Sequence, residues 1–310
     1  MDNLPEFVKI SPRVSNAISL KLPIVALEST VVTHGLPYPE NINLARDMES
    51  EIEQIGVTPA TVAVLDGDVQ VGLNPLQLDR LATEKGLKKI SSRDYAGVIS
   101  QKSSGGTTVA GTLVVAERVG IRVFATGGIG GVHRVPKFDI SADLIQLAKS
   151  RVVVVCAGAK AILDLPSTLE YLETYCIPVV GYQTDEFPAF YSKSSGFGVS
   201  VMANSPDEIA SIAKNHWDFG LESAILVVVP PPEEVALPKG EVHKAVDRAL
   251  EEASGTGIRG QEMTPFLLKR VTELTGGSSL RANLGLLRNN ARIAALISKH
   301  MDLSSFGQRV

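Results

Sequence analysis

Val152 to Cys156 form an unbroken apolar run of β-branched residues closed by a cysteine. A segment with no polar face predicts a strand buried on both sides, as in a parallel sheet. Such a sheet requires helices over both faces. The rest of the chain alternates accordingly. Pro23 to Leu27 predicts a strand. Asn41 to Ile55 places Ile42, Leu44, Ala45, Met48 and Ile52 at helical spacing. Thr61 to Leu73 holds two β-rich runs around Asp66-Gly67, the pattern of a hairpin. Leu76 to Lys85 predicts a helix and Lys89-Ile90 opens a short extended segment. Thr107 to Val119 predicts a helix entered from a Gly105-Gly106 turn, and Arg122 to Ala125 a strand. Ser141 is placed to cap a helix through Lys149. Thr168 to Tyr175 predicts a further helix, and Pro178 to Gly181 and Ala224 to Val229 further strands. The last of these stops at Pro230-Pro231-Pro232. From Lys239 to His300 the pattern is helical, either a subdomain or, the preferred reading, helices closing the α/β core. The expected fold is an α/β/α sandwich with a largely parallel central sheet and a helical C-terminal third. It forms one domain over residues 1–310, with residues 1–20 as an N-terminal extension and 239–300 as the closing segment.

Composition narrows the class. At 310 residues the chain can build one large core. Gly is plentiful at 27 residues and aromatics are few at 5%, so small residues and aliphatics build the interior. A net charge of −4 with no long Lys or Arg run gives no nucleic-acid footprint. Cys156 and Cys176, the 2 cysteines, make no disulfide framework and suit a reducing compartment. No stretch of about 18 apolar residues predicts a membrane span. The first residues lack an apolar signal core. Cytoplasm is the default expectation.

Several residues fall where α/β proteins bind ligands, beyond the carboxyl ends of strands. Lys160 follows the valine run and Ala157-Gly-Ala159. Burial there would favour a neutral, nucleophilic amine able to form a Schiff base with a sugar aldehyde. A surface lysine opening a helix would satisfy the same pattern. Asp139 and Asp143 could hold a hard cation or shuttle a proton. On spacing alone, ordinary acid placement at a helix N-terminus is the better explanation. Thr126 to Gly131, followed by His133 and Arg134, is a glycine-rich loop after a strand and could face a phosphate. It lacks the spacing of a dinucleotide fingerprint, because Pro136 arrives too soon. Ser103 to Thr108 is a second glycine- and hydroxyl-rich turn, either an anion site or a helix cap. Glu28, ending the first strand, could be a general acid or a structural carboxylate. Together these point to a phosphorylated substrate with a reactive carbonyl.

Longer strings add a resemblance. ALESTVVTHGLPYPEN, ATGGIGGVHR, DISADL, CAGAK, TLEYLET, GYQTDEFPAF and TPFLLKRVTELTGG together resemble the pseudouridine-5′-phosphate glycosidase family, from about Pro23 to His300. The resemblance implies reversible cleavage of the C–C glycosidic bond of pseudouridine 5′-phosphate to uracil and ribose 5-phosphate, mainly in pseudouridine catabolism. It implies Lys160 as the Schiff-base nucleophile, with Glu28 and Asp143 moving protons. It further implies Asp139 as the ligand of a divalent metal, manganese. Lys89, Thr108, Val109, Thr126, His133, Ser141, Ala142, Asp143 and Asn283 would bind substrate. The connection from His133-Arg134 to Asp139 is shorter than in bacterial members. A homotrimer is implied, and plant members could be peroxisomal. Two rival readings remain. One is a nucleotide-dependent enzyme binding phosphate on Thr126 to Gly131. The other is a catalytically silent sugar-phosphate sensor.

Overall fold

The computed structural model describes residues 4–134, 138–256 and 263–301. In chain order these form β1 Val8–Ile10, α1 Pro12–Ser19, β2 Ile24–Leu27, α2 Glu40–Gln54, β3 Thr58–Leu65, β4 Asp68–Val71 and α3 Pro75–Thr83. There follow β5 Lys88–Ile90, α4 Tyr95–Ser100, β6 Gly105–Thr107, α5 Val109–Val119, β7 Val123–Ala125, β8 Val132–His133 and α6 Ala142–Leu147. Next come β9 Val153–Cys156, β10 Leu163–Asp164, α7 Leu165–Thr174, β11 Val179–Tyr182, β12 Val201–Ala203, α8 Pro206–Asp218 and β13 Ile225–Val228. The C-terminal third is α9 Lys239–Thr256, α10 Met263–Leu274 and α11 Ser278–His300.

The central path of the main sheet runs β3-β2-β7-β9-β13-β11-β12, with every neighbouring pair parallel. At one end β4 pairs β3 in the expected hairpin, and β1 pairs β4. Strand β9 lies between β7 and β13, and its residues are fully buried. Burying each valine on both faces contributes roughly 1.5–3 kcal/mol. Helices supply the cover. Helix α11 lies across β2, β7 and β9, flanked by α2 and α8, while α5 packs on β2 and β3 with α6 beside it. The face of α11 toward the sheet carries small residues, Ala291, Ala294 and Ala295, which let the helix approach closely. The α/β/α sandwich with its helical C-terminal third is thus the fold of the chain.

Several local expectations change. Gly105 and Gly106 do not form a turn. They are strand β6, paired with β5 and β3, so their backbone groups belong to the sheet. The helix after them starts at Val109 with Thr108 as its N-cap. The helix capped by Ser141 ends at Leu147, short of Lys149. Residues 8–19, within the expected extension, add β1 and α1, and α1 buries Val14 and Ala17. Residues 182–223, to which the sequence pattern assigns no element, contain β12 and α8, the latter capped by Ser205 ahead of Pro206.

The strand order reverses between β2 and β7. The chain leaves β2 toward β3 on one side and returns through β7 to β9 on the other. In an open parallel sheet this reversal opens a crevice at the carboxyl ends of the two strands. Buried Asn290 of α11 braces the crevice, its Nδ2 donating to Thr126 O at 2.8 Å. Replacing Asn290 by Ala should lower stability by about 1–3 kcal/mol, because a buried carbonyl loses its donor. Urea unfolding measures this, and an unchanged midpoint would show that the brace contributes nothing.

Candidate active site

Glu28 follows directly on β2 at the crevice, and its side chain is held from two sides. One oxygen accepts from Thr126 Oγ1 at 2.8 Å and the other from Thr30 Oγ1. The chain then makes a single π turn, Val31–Gly35, of a kind common at functional sites. The turn is anchored by Ser29, whose hydroxyl donates to Val62 O at 2.6 Å and accepts from Thr107 N at 2.9 Å. It delivers His34, whose Nδ1 lies 2.6 Å from Thr33 Oγ1.

Beyond β7 and β9 the chain continues as two interlocked loops. Ala157 N donates to Gly127 O at 2.8 Å, Ile129 N to Gly158 O at 3.0 Å and Lys160 N to Ile129 O at 3.1 Å. Gly158 reverses the chain at φ +88°, a conformation that favours glycine. Lys160 is thereby held by its own backbone at the crevice, half-buried. The glycine-rich loop is not a phosphate cradle of the dinucleotide type. Its Ile129, Gly130 and Val132 N–H groups already donate to Gly158 O, Asp143 Oδ2 and Thr168 Oγ1.

Asp143 joins three segments. It is 6% exposed, and its carboxylate accepts from Gly130 N at 2.8 Å and from Ala110 N, at the start of α5, at 2.9 Å. Ser141, the N-cap of α6, accepts from Asp143 N at 3.2 Å. No side chain fits at position 130, where a Cβ would lie 2.3 Å from Ser141 Oγ and 2.8 Å from Asp143 Oδ2. Ahead of α6, His133 N donates to Asp139 O at 2.9 Å and Ser141 N to Gly131 O at 3.0 Å. Of the connection from Arg134 to Asp139, residues 135–137 lie outside those described.

These elements enclose a cavity of about 390 Å³. Glu28, Lys89, Thr108, Val109, His133, Asp139, Ser141, Ala142, Asp143, Lys160 and Asn283 all line it. Thr126 does not. It is fully buried, and its hydroxyl supports Glu28 from behind rather than facing the cavity. The cavity also takes in His34, Ser91, Arg93 and Phe190, and Thr264 and Leu268 from α10, which the sequence patterns do not single out. For His34 the only cue is its place six residues after Glu28, where the polar end of the ALEST string begins.

The cavity crowds positive groups. Burial pushes the Lys89 ammonium below the ordinary lysine range, and the charge of Lys160 pushes it the same way, while Asp143, Glu28 and Asp139 oppose the shift. Burial also holds His133 below the usual imidazole range despite the nearby Asp139. His34 is lowered by burial and then by Lys89. An anionic ligand would relieve the crowding around Lys89. Among the described residues no group of three or more His, Cys, Asp or Glu side chains is placed to hold a metal. A cation beside Asp139 would therefore need water and ligand oxygens as further partners, the habit of magnesium-like cations, and not an all-protein cage.

A lysine at the switch point of a parallel sheet, ringed by carboxylates and a second cation, defines an α/β enzyme for small anionic substrates. Residues 13–300 match the model of the indigoidine synthase A-like protein family. A pseudouridine-5′-phosphate glycosidase of Caldanaerobacter subterraneus is 48% identical over 96% of this chain and 97% of its own. That of Escherichia coli is 48% identical over 95% and 96%. Among solved structures, the prealnumycin C-glycosynthase AlnA in complex with ribulose 5-phosphate superposes with a TM-score of 0.89 at 36% identity, covering 96% of this chain and 98% of that one. An indigoidine synthase A-like protein of Thermotoga maritima gives 0.87 at 35% identity, with the same coverage. The chain belongs to the pseudouridine-5′-phosphate glycosidase family.

Proposed function

We propose that this protein reversibly cleaves the C–C glycosidic bond of pseudouridine 5′-phosphate, releasing uracil and ribose 5-phosphate, with Lys160 as the covalent nucleophile. The observation that carries the proposal is Lys160 fixed at the strand-order reversal among Glu28, Asp143 and Lys89. Relatives at 48% identity over nearly the whole chain bear the same activity in their names.

Direct departure of a uracil carbanion from the closed sugar is costly. The Lys160 amine attacks C1′ and displaces the ring oxygen, which leaves as the 4′-hydroxyl after gaining a proton, so the ring opens and a secondary amine links lysine to C1′. Once a proton is delivered to C5 of uracil, the amine loses its proton and its nitrogen lone pair forms a C1′=N bond. The electron pair of the C1′–C5 bond departs with C5, which leaves uracil free and a protonated imine between lysine and sugar. Water then hydrolyses the remaining sugar–lysine adduct, freeing ribose 5-phosphate and the amine. Glu28 and Asp143, which line the same cavity as Lys160, would carry these protons. Both are fixed by hydrogen bonds, which limits their motion between steps.

Lys89 binds the anionic substrate, with Thr108, Val109, His133, Ser141, Ala142 and Asn283 as further contacts in the cavity. Asp139 would hold a divalent ion, manganese by family habit, and that ion would supply positive charge beside substrate oxygens. A homotrimer is the assembly we infer from the same resemblance. One of the two free thiols, Cys176, is exposed, which suits a reducing compartment such as cytoplasm. No described helix is long and apolar enough to cross a membrane.

Incubation with pseudouridine 5′-phosphate and a divalent ion should release free uracil, followed by chromatography. Lys160→Ala should reduce the rate by at least about 10³-fold while the protein stays folded, because the nucleophile is gone. Full activity in that variant would exclude covalent catalysis by Lys160. Lys89 must be cationic to hold phosphate, and its protonated form is destabilised by burial. The Km for substrate should therefore rise with pH at a value below the ordinary lysine range, and Lys89→Arg should move that limb upward. An identical alkaline limb in both proteins would contradict the role given to Lys89.

A further inference from the structure

The cleft has a second lobe, of about 650 Å³, that the reaction above does not use. His34, Lys89, Arg93 and Pro265 line both lobes, so the two adjoin across a shared wall. The second lobe adds Lys88, Asp94 and Gln101 to its polar wall. Its charge balance is positive in a chain whose net charge is −4. Lys88 Nζ donates to Gln101 Oε1 at 2.9 Å, a neutral partner that leaves the ammonium charge in place. Arg93 is 76% exposed along its side chain, and its nearest carboxylate oxygen, on Asp94, lies 3.6 Å away, beyond a good hydrogen bond. Asp94 is the one carboxylate lining this lobe among the described residues, and it also accepts from Ser91 N at 2.8 Å.

We propose that this lobe is an anion-collecting vestibule. Through it the phosphate end of the substrate reaches Lys89 before the sugar carbon meets Lys160. The proposal rests on the reading that the substrate carries a phosphate. A cleft lined mainly by one sign of charge concentrates counter-ions and raises association rates by about 10–10³-fold, an advantage that salt removes. Lys88 acts by its charge at a distance and touches no reacting atom. Arg93, shared between the lobes, hands the anion from one to the other.

The test compares kcat and kcat/KM for pseudouridine 5′-phosphate across ionic strengths from about 0.01 M to 1 M, where the Debye length falls from roughly 30 Å to 3 Å. The proteins are the wild type, Lys88→Gln and Gln101→Glu. Both replacements lie outside the catalytic cavity, and each lowers the net charge of the vestibule by one unit, Lys88→Gln by removing a positive charge and Gln101→Glu by adding a negative one. Each variant should show kcat/KM reduced by roughly three- to tenfold at low salt. Each should also show unchanged kcat and convergence on the wild type at high salt, and Lys88→Arg should restore the wild-type profile. A salt profile equal to wild type, or a deficit that persists at high salt, overturns the proposal. If the wild type releases no uracil at all, the assignment of the reaction fails instead. The vestibule is then read from inorganic phosphate, by ³¹P line broadening in wild type and Lys88→Gln. Salt-sensitive broadening that the variant weakens supports it, and equal broadening overturns it.

Discussion

Strand β9 has no face open to water, and the placement of the site follows from that constraint. Its valines lie between β7 and β13 in the plane of the sheet, with α11 across one face. Helices must therefore cover both sides of the sheet, and the chain can expose reactive groups only where the strand ends. Lys160 stands four residues beyond Cys156, after a reversal that Gly158 makes possible. Strand β2 ends on the other side of β7 and presents Glu28 to the same crevice. The core that stabilises the fold thus also sets the lysine opposite its carboxylate.

Asp143 links that framework to the ligand side. A buried carboxylate costs several kcal/mol unless its oxygens are satisfied, and here two backbone N–H groups satisfy them. Those donors belong to α5 and to the glycine-rich loop, so the same contact locks both segments against α6. The glycine at position 130 is needed for this approach and not for phosphate. The anion-holding task is the one we propose for Lys89, whose ammonium is disfavoured by burial.

Much of this was legible in the sequence. The valine run, the Asp66-Gly67 hairpin and the amphipathic stretch of α2 each carry a strong local period, and each appears where the pattern puts it. Lys160 and Glu28 could be singled out because strand ends are marked by the change from apolar to polar residues, and Asp143 because it lies four residues after Asp139 at a helix start. Local pattern could not show that Gly105-Gly106 is a strand, since its pairing with β3 and β5 is a tertiary event. Nor could it place Thr126 behind Glu28, because that contact joins residues 98 apart. His34 enters the cavity through a π turn anchored by the bonds of Ser29 to Val62 and Thr107 far along the chain, and Arg93 through a loop held by the bond from Ser91 N to Asp94. Those residues carry no periodic signal of their own.

The central claim is that Lys160 forms a covalent bond with the sugar. Reduction with borohydride in the presence of ribose 5-phosphate, followed by peptide mass spectrometry, tests it most directly. The account predicts one stable adduct per chain, on the peptide containing Lys160, with Lys89 unmodified. An adduct on Lys89 or elsewhere, with Lys160 free, would contradict it.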